Sequence, residues 1–185
     1  MAHVTRRAIM LGAGAGLLSA CGAPVGSTRG AEIDRRVDAA IEAMYVEVPE
    51  TRDLAARASG VLVIPLMTRG ALFTFGGGYG EGALRIGGAT VDYYSAANAS
   101  FGLQFGVKQY AHALFFMTPE ALGEFRASEG FEVGADLEYI IRREGELFRR
   151  TSTEAVRKVV AVVFGEAGLM IGVKLDGTKY TRVLR

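Results

Sequence analysis

The chain has 185 residues, half of them hydrophobic and 22% charged, which is enough apolar material for one globular domain and excludes a disordered or collagen-like chain. Lys+Arg number 21 and Asp+Glu 20, a formal net charge of +1, without the basic excess expected of a nucleic-acid-binding chain. A single Cys excludes an internal disulfide, a CxxC redox motif and a Cys-based zinc finger.

Residues 1–20 read as a lipoprotein signal peptide. Arg6 and Arg7 form a basic start, and 8–20 is an uncharged run of 13 residues. A spanning helix needs roughly 20, whereas a signal peptide has this layout. The run ends in Leu18-Ser19-Ala20-Cys21, which resembles the bacterial lipobox and makes Cys21 the expected lipid attachment point. Thr5-Arg6-Arg7-Ala8-Ile9-Met10 resembles a twin-arginine signal, with Sec export open beside it. Gly22 after the Cys favours an outer-membrane protein facing the periplasm.

Residues 21–30 are small and polar, a tether, and 31–185 are expected to form one domain. Charge is uneven along it. Residues 21–141 hold 9 basic and 15 acidic groups, while 142–185 hold 10 basic and 5 acidic. Such asymmetry can mark a surface for anionic partners.

Apolar residues at helical spacing predict a helix over 31–48, ended by Pro49, and a second over 50–58, closed by Gly60. From Val61 the period shortens. Strands are expected at 61–65, 71–75, 83–86 and 90–95, with Gly87-Gly88 as a turn. Alternation predicts another over 100–108, and 111–117 is apolar throughout, a strand buried on both faces. Thr118-Pro119-Glu120 starts a helix reaching about Ala127. Residues 131–141 fit strand or helix. Strands follow at 159–164 and 169–175, and Asp176-Gly177 predicts a hairpin to 178–184. These elements predict an α+β fold. Its antiparallel sheet is a sandwich or partly open barrel, with an N-terminal helix pair and one further flanking helix.

Gly78-Tyr79-Gly80-Glu81-Gly82-Ala83 formally fits a GxGxxA dinucleotide fingerprint, but the following Leu84-Arg85-Ile86-Gly87-Gly88 is poor helix. Gly76, Gly78, Gly80 and Gly82 alternate instead, which predicts one bare strand face that another backbone or ring approaches closely. His112 lies among Ala111, Ala113 and Leu114, so it reads as a core or edge histidine and not a base. Glu81 and Asp92 could form a carboxylate pair for acid–base work, as in a hydrolase, though nothing in their spacing demands it. No metal site or cofactor is expected. Arg142, Arg143, Arg149, Arg150, Arg157 and Lys158 fall within seventeen residues and are the candidate phosphate-headgroup contacts, against a solvated helix or loop face as the plainer alternative.

Several blocks occur in order: Gly60-Val61-Leu62-Val63-Ile64-Pro65, then Phe75 to Gly82, then Tyr93-Tyr94-Ser95-Ala96-Ala97-Asn98-Ala99-Ser100-Phe101-Gly102-Leu103-Gln104. Ala113 to Thr118, Phe131-Glu132-Val133-Gly134 and Val163 to Met170 continue the series. Together they resemble the SYLF domain, a lipid-binding family linked in yeast to actin, and most closely its bacterial lipoprotein branch. The resemblance implies a non-enzymatic domain of antiparallel β-structure that binds phospholipid, with an N-terminal amphipathic helix and basic residues taking part. Residues 31–48 here carry Arg35 and Arg36 against Glu32, Asp34, Asp38, Glu42 and Glu47, a poor match to anionic headgroups. Any lipid role is therefore expected on another surface. The expected partner is anionic membrane phospholipid, or an envelope protein if the domain is a scaffold; actin and nucleic acid are not expected.

Overall fold

The computed structural model describes residues 28–72, 75–101, 106–128, 130–132, 138–143, 146–150, 158–168, 175 and 177–184. The expected signal peptide, Cys21 and the first part of the expected tether lie outside these residues. Helix α1 runs from Thr28 to Glu47, so its first turn takes in the last residues of the expected tether. Helix α2 (Thr51–Arg57) follows after Pro49. Its end is set by Ala58, which turns extended, and not by Gly60, which already opens the first strand.

Among the described residues, nine strands make one sheet: β1 (Gly60–Leu72), β2 (Phe75–Ile86), β3 (Ala89–Phe101), β4 (Gly106–Phe116), β5 (Phe131–Glu132), β6 (Glu138–Arg143), β7 (Glu146–Arg150), β8 (Val159–Gly168) and β9 (Lys179–Val183). Helix α3 (Pro119–Ala127) lies between β4 and β5. The order is β5-β9-β3-β2-β1-β4-β8-β6-β7. Every pairing is antiparallel except β6 with β8. The fold class is the expected α+β, and the sheet is open between β5 and β7.

Three strand expectations are corrected. Pro65 does not end β1; it sits where the register slips between Val63 and Met67. A bulge frees one residue from the ladder, so a missing N–H costs nothing there. The expected strands 71–75 and 83–86 are the end of β1 and the two ends of one β2. The alternation over 100–108 spans two strands, since β3 ends at Phe101 and β4 starts at Gly106, with φ +130°. Elsewhere the reading holds: Thr118 accepts a bond from the Ala121 amide as N-cap, and the turn at Gly87-Gly88 joins β2 to β3. The ambiguous 131–141 divides into β5 and β6, both strands. Residues 169–174 lie outside the described part, while the Thr178 amide donates to the Leu175 carbonyl and closes a turn into β9.

The sheet is strongly curled. Tyr180 on β9 and His112 on β4 are four strands apart, about 19 Å in a flat sheet, yet Tyr180 Oη lies 2.8 Å from His112 Nε2. Phe125 of α3 fills the curl, 4.7 Å from Tyr94, 4.6 Å from Phe116 and 5.1 Å from Phe131 between ring centres. On the outer face, α1 buries Ile33, Val37, Ala40 and Met44 against Val63, Ala83, Tyr93, Ala113 and Phe115. Each of the larger side chains is worth about 1.5–3 kcal/mol over leaving it in water. Asp34 then pins α1 to the sheet, accepting from Thr90 at 2.6 Å and Tyr93 at 2.8 Å.

The alternating glycines of β2 share one closely approached face, as expected, and it is the inner one. A Cβ on Gly82 would overlap the Val63 carbonyl oxygen, and one on Gly80 would stand 2.6 Å from that of Leu66. Gly77, on the outer face, would meet only the Asn98 carbonyl at 3.3 Å. Gly82→Ala is therefore expected to cost about 3 kcal/mol or to prevent folding, by the overpacking rule, with Gly77→Ala close to neutral. Urea denaturation of the two variants checks this; equal midpoints would refute it.

Candidate functional site

The basic candidates gather at one edge. Arg142 and Arg143 are on β6, and Arg149 and Arg150 are on β7, the outermost strand. The register pairs Arg142 with Leu147 and Ile140 with Arg149. Positions 142 and 149 thus share one face of the ribbon, and 143 and 150 the other. Arg157 lies outside the described residues. Lys158 precedes β8, is exposed, and has Nζ 4.0 Å from a Glu124 carboxylate oxygen. Exposed pairs of this kind contribute little to stability, which leaves the ammonium available to other anions.

The carboxylate pair is not brought together. Glu81 is opposite Ser95 and Asp92 opposite Leu84, so the two side chains point to opposite faces of the sheet. Each is held by arginine. Arg29 donates to both oxygens of Glu81 at 3.0 Å, and Tyr79 Oη donates at 2.7 Å. Asp92 accepts from Arg126 at 3.1 Å and lies 3.7 Å from Arg182. A hydrolase built on these two residues has no shared site in which to work.

His112 is a core residue, fully buried. Loss of solvation pushes its pKa down to about 3, so the ring is neutral. Around it the inner face carries a polar row that the sequence did not single out. Asn98 donates to Thr178 Oγ1 at 3.4 Å, and burial raises the pKa of the Tyr110 hydroxyl. Tyr94 is pushed up to about 12, first by burial and then by the Asp92 charge. Further along, Lys108 is buried and bonds Glu166 at 2.8 Å. Only an alternating face of β3, β4 and β9 could have signalled this row, and no spacing in the chain links those strands.

A cavity of about 540 Å³ opens under α2, between α1 and the β2–β3 turn. Ile41, Met44, Val61 and Phe115 give it an apolar lining, and Arg52 stacks 4.5 Å above the Tyr45 ring at its side. Arg85 lines it too, but its charge is engaged by Asp38 at 2.8 Å and Asp34 at 3.4 Å. The volume falls in the range of small-ligand pockets. The apolar stripe of α1, which the resemblance would give to a membrane, is packed against the sheet. Among the described residues no helix is long and apolar enough to cross a membrane, and no group of three or more His, Cys, Asp or Glu could hold a metal ion.

The buried neutral imidazole makes a pH prediction. A proton binds the unfolded chain below pH about 6.5 but not the folded one until about 3, so stability is complete above 6.5 and falls as pH drops. The slope approaches about 1.4 kcal/mol per pH unit. His112→Gln, which keeps a partner for Tyr180, is expected to flatten the fall in unfolding free energy between about pH 7 and about pH 5.5, above the carboxylate range. Equal slopes in the two proteins would refute it.

No curated protein matches the chain. The Gly-rich block of β2 and the β1 block precede the span recognised by a family comparison, which takes in the end of β3, all of β4 and α3, and the strands that follow. Residues 97–183, a little under half of the chain, match the family described as Ysc84, Las17-binding protein actin regulator, and this bears out the SYLF resemblance read from the ordered blocks.

Proposed function

We propose that the protein is a lipid-binding SYLF-type domain, anchored through an acylated Cys21 to the periplasmic face of a bacterial membrane, most simply the outer one. Its role is binding, not catalysis. The family match supports lipid binding as the general activity. The observation that carries the headgroup reading is the β6–β7 ribbon: four arginines within nine residues, on an antiparallel pair at the free edge of the sheet. An edge ribbon can approach a surface without displacing core, and a guanidinium can grip phosphate through two parallel hydrogen bonds. Near an anionic bilayer each basic group contributes about 1 kcal/mol. Lys158 extends the set at the base of β8. Actin regulation, named for the matched family, fits poorly with a periplasmic address.

Sedimentation of residues 22–185, which lack the anchor, with phosphatidylglycerol or cardiolipin vesicles tests this. Binding is expected at about 0.05 M salt and is expected to weaken steeply by about 0.5 M, as the screening length shortens. Changing Arg142, Arg143, Arg149, Arg150, Arg157 and Lys158 to Ala should abolish it. Absent binding at low salt, or binding indifferent to these changes, would overturn the headgroup reading. Salt-insensitive capture of one envelope protein would favour a scaffold.

A further inference from the structure

The outer face of the sheet has two halves. One is covered by α1. The other, toward the β1–β2 tip, is exposed and uncharged among the described residues. Its first rung across four strands is Val107, Gly70, Gly77 and Ala99, and its second is Gln109, Thr68, Tyr79 and Ala97. Phe75 stands beyond them, 71% exposed, with Val107 at 57% and Tyr79 at 52%. The charges of this end, Arg69 and Lys108 with its partner Glu166, fall on the opposite parity, facing inward. Lys179, opposite Ala97 on β9, stands at the rim. A floor of Gly, Ala, Thr and Gln edged by two aromatic rings and a valine is a contiguous uncharged patch and not a set of scattered surface residues. Aromatic side chains and a flanking lysine are what a bilayer interface accepts.

The position of the chain's N-terminal part selects the occupant. Arg29, in the first turn of α1, holds Glu81, and Glu81 accepts from Tyr79, so α1 starts one rung from the patch. Cys21 and the six residues after it precede Thr28. Fully extended they reach roughly 25 Å. An acyl chain at Cys21 therefore holds this end of the domain at the membrane. The start of the β6–β7 ribbon agrees: β6 runs parallel to β8, so Arg142 and Arg143 come at the end of the sheet where Ala167 meets Gln109, while Arg149 and Arg150, opposite Ile140 and Tyr139, lie further back along it.

We infer that the exposed half of the outer face, around Phe75, Tyr79 and Val107, is a seat for the bilayer surface on which the anchored domain rests. This rests on the anchored reading above and adds to it an apolar contact that salt does not screen.

The chain contains no Trp, so a single one is a site-specific reporter. The test is the mature acylated protein in phosphatidylethanolamine–phosphatidylglycerol vesicles, with and without brominated lipid. Phe75→Trp is expected to emit at shorter wavelength in vesicles than in detergent-free buffer and to be quenched by the brominated lipid. Val46→Trp, exposed near the far end of α1, is expected to show neither effect. Tyr79→Trp gives the same readout as Phe75→Trp should that variant fold poorly. Mass spectrometry for acylation of Cys21 separates the two readings. An unacylated Cys21 overturns the anchor and the seat with it. An acylated, vesicle-bound protein in which the Phe75→Trp and Tyr79→Trp reporters are both unquenched overturns the seat alone. A wavelength shift that follows protein concentration, without quenching, assigns the face to a second copy of the chain and also overturns the seat.

Discussion

The close approach of β1 to β2 at Gly82 and the Val63 carbonyl is the constraint on which the rest of the domain depends. With no side chains at 78, 80 and 82 on the inner face, the two strands can bulge and coil sharply. The register slips at one level on three neighbouring pairings: between Val63 and Met67 on β1, and between Gln109 and Ala111 on β4. The resulting curl brings β9 across to β4, where Tyr180 meets His112. Only then can one phenylalanine, Phe125, touch rings from β3, β4 and β5 together. The glycine excess is thus a shape requirement of the sheet. The dinucleotide-fingerprint alternative fails on its own terms, because β2 continues to Ile86 and a two-glycine turn leads into β3, with no helix for a phosphate to meet.

The curl also explains why the interior is polar in one stripe. Strands that would lie far apart in a flat sheet each send a side chain to the same small volume. Asn98, Tyr110, His112, Thr178 and Tyr180 come from β3, β4, β9 and the turn before it. Such groups must find one another or be left unsatisfied, which is costly in a low-dielectric interior. His112 stays neutral and shares one nitrogen with the Tyr180 hydroxyl, while its buried Nδ1 has no partner among the described residues. Its apolar sequence neighbours correctly placed it in the core, and nothing nearby in the chain could name its partner 68 residues away.

Local signals were legible wherever the deciding interaction is local. Thr118-Pro119 started α3 because a cap and a fixed φ act within one turn. The apolar spacing of α1 gave its buried face residue by residue. Signals failed where the decision is made elsewhere. Pro65 reads as a strand end, yet the neighbouring strand supplies a bulge that accommodates it. The alternation of 100–108 reads as one strand, yet the sheet order sends β3 and β4 to different neighbours. Glu81 and Asp92 are eleven positions apart, and only the β2–β3 register shows that they occupy opposite faces. The exposed rungs around Tyr79 were hidden for the same reason, since four strands contribute them and no strand alone shows the patch.

Charge gives the last example of sequence order misreading space. The acidic first part and basic last part of the chain do not become two poles, because β8 and β9 are inserted into the sheet beside earlier strands. Arg182 comes to Asp92, Lys108 to Glu166, and Lys158 to Glu124. Most of the acids of α1 that made it a poor membrane helix are likewise engaged: Asp34 and Asp38 with Arg85, Glu32 with Arg36, and Glu47 with the Gly165 amide. Helix α1 is acidic because it docks on a sheet that presents arginine and hydroxyl groups, and its apolar stripe is spent in the same contact. What remains at the surface is divided by the fold. Arginine lies on the edge ribbon, an uncharged platform occupies the outer face, and the start of α1 sits beside the platform. The parallel β6–β8 pairing brings Arg142 and Arg143 toward the same end of the sheet as the platform, and the antiparallel return of β7 carries Arg149 and Arg150 back along it.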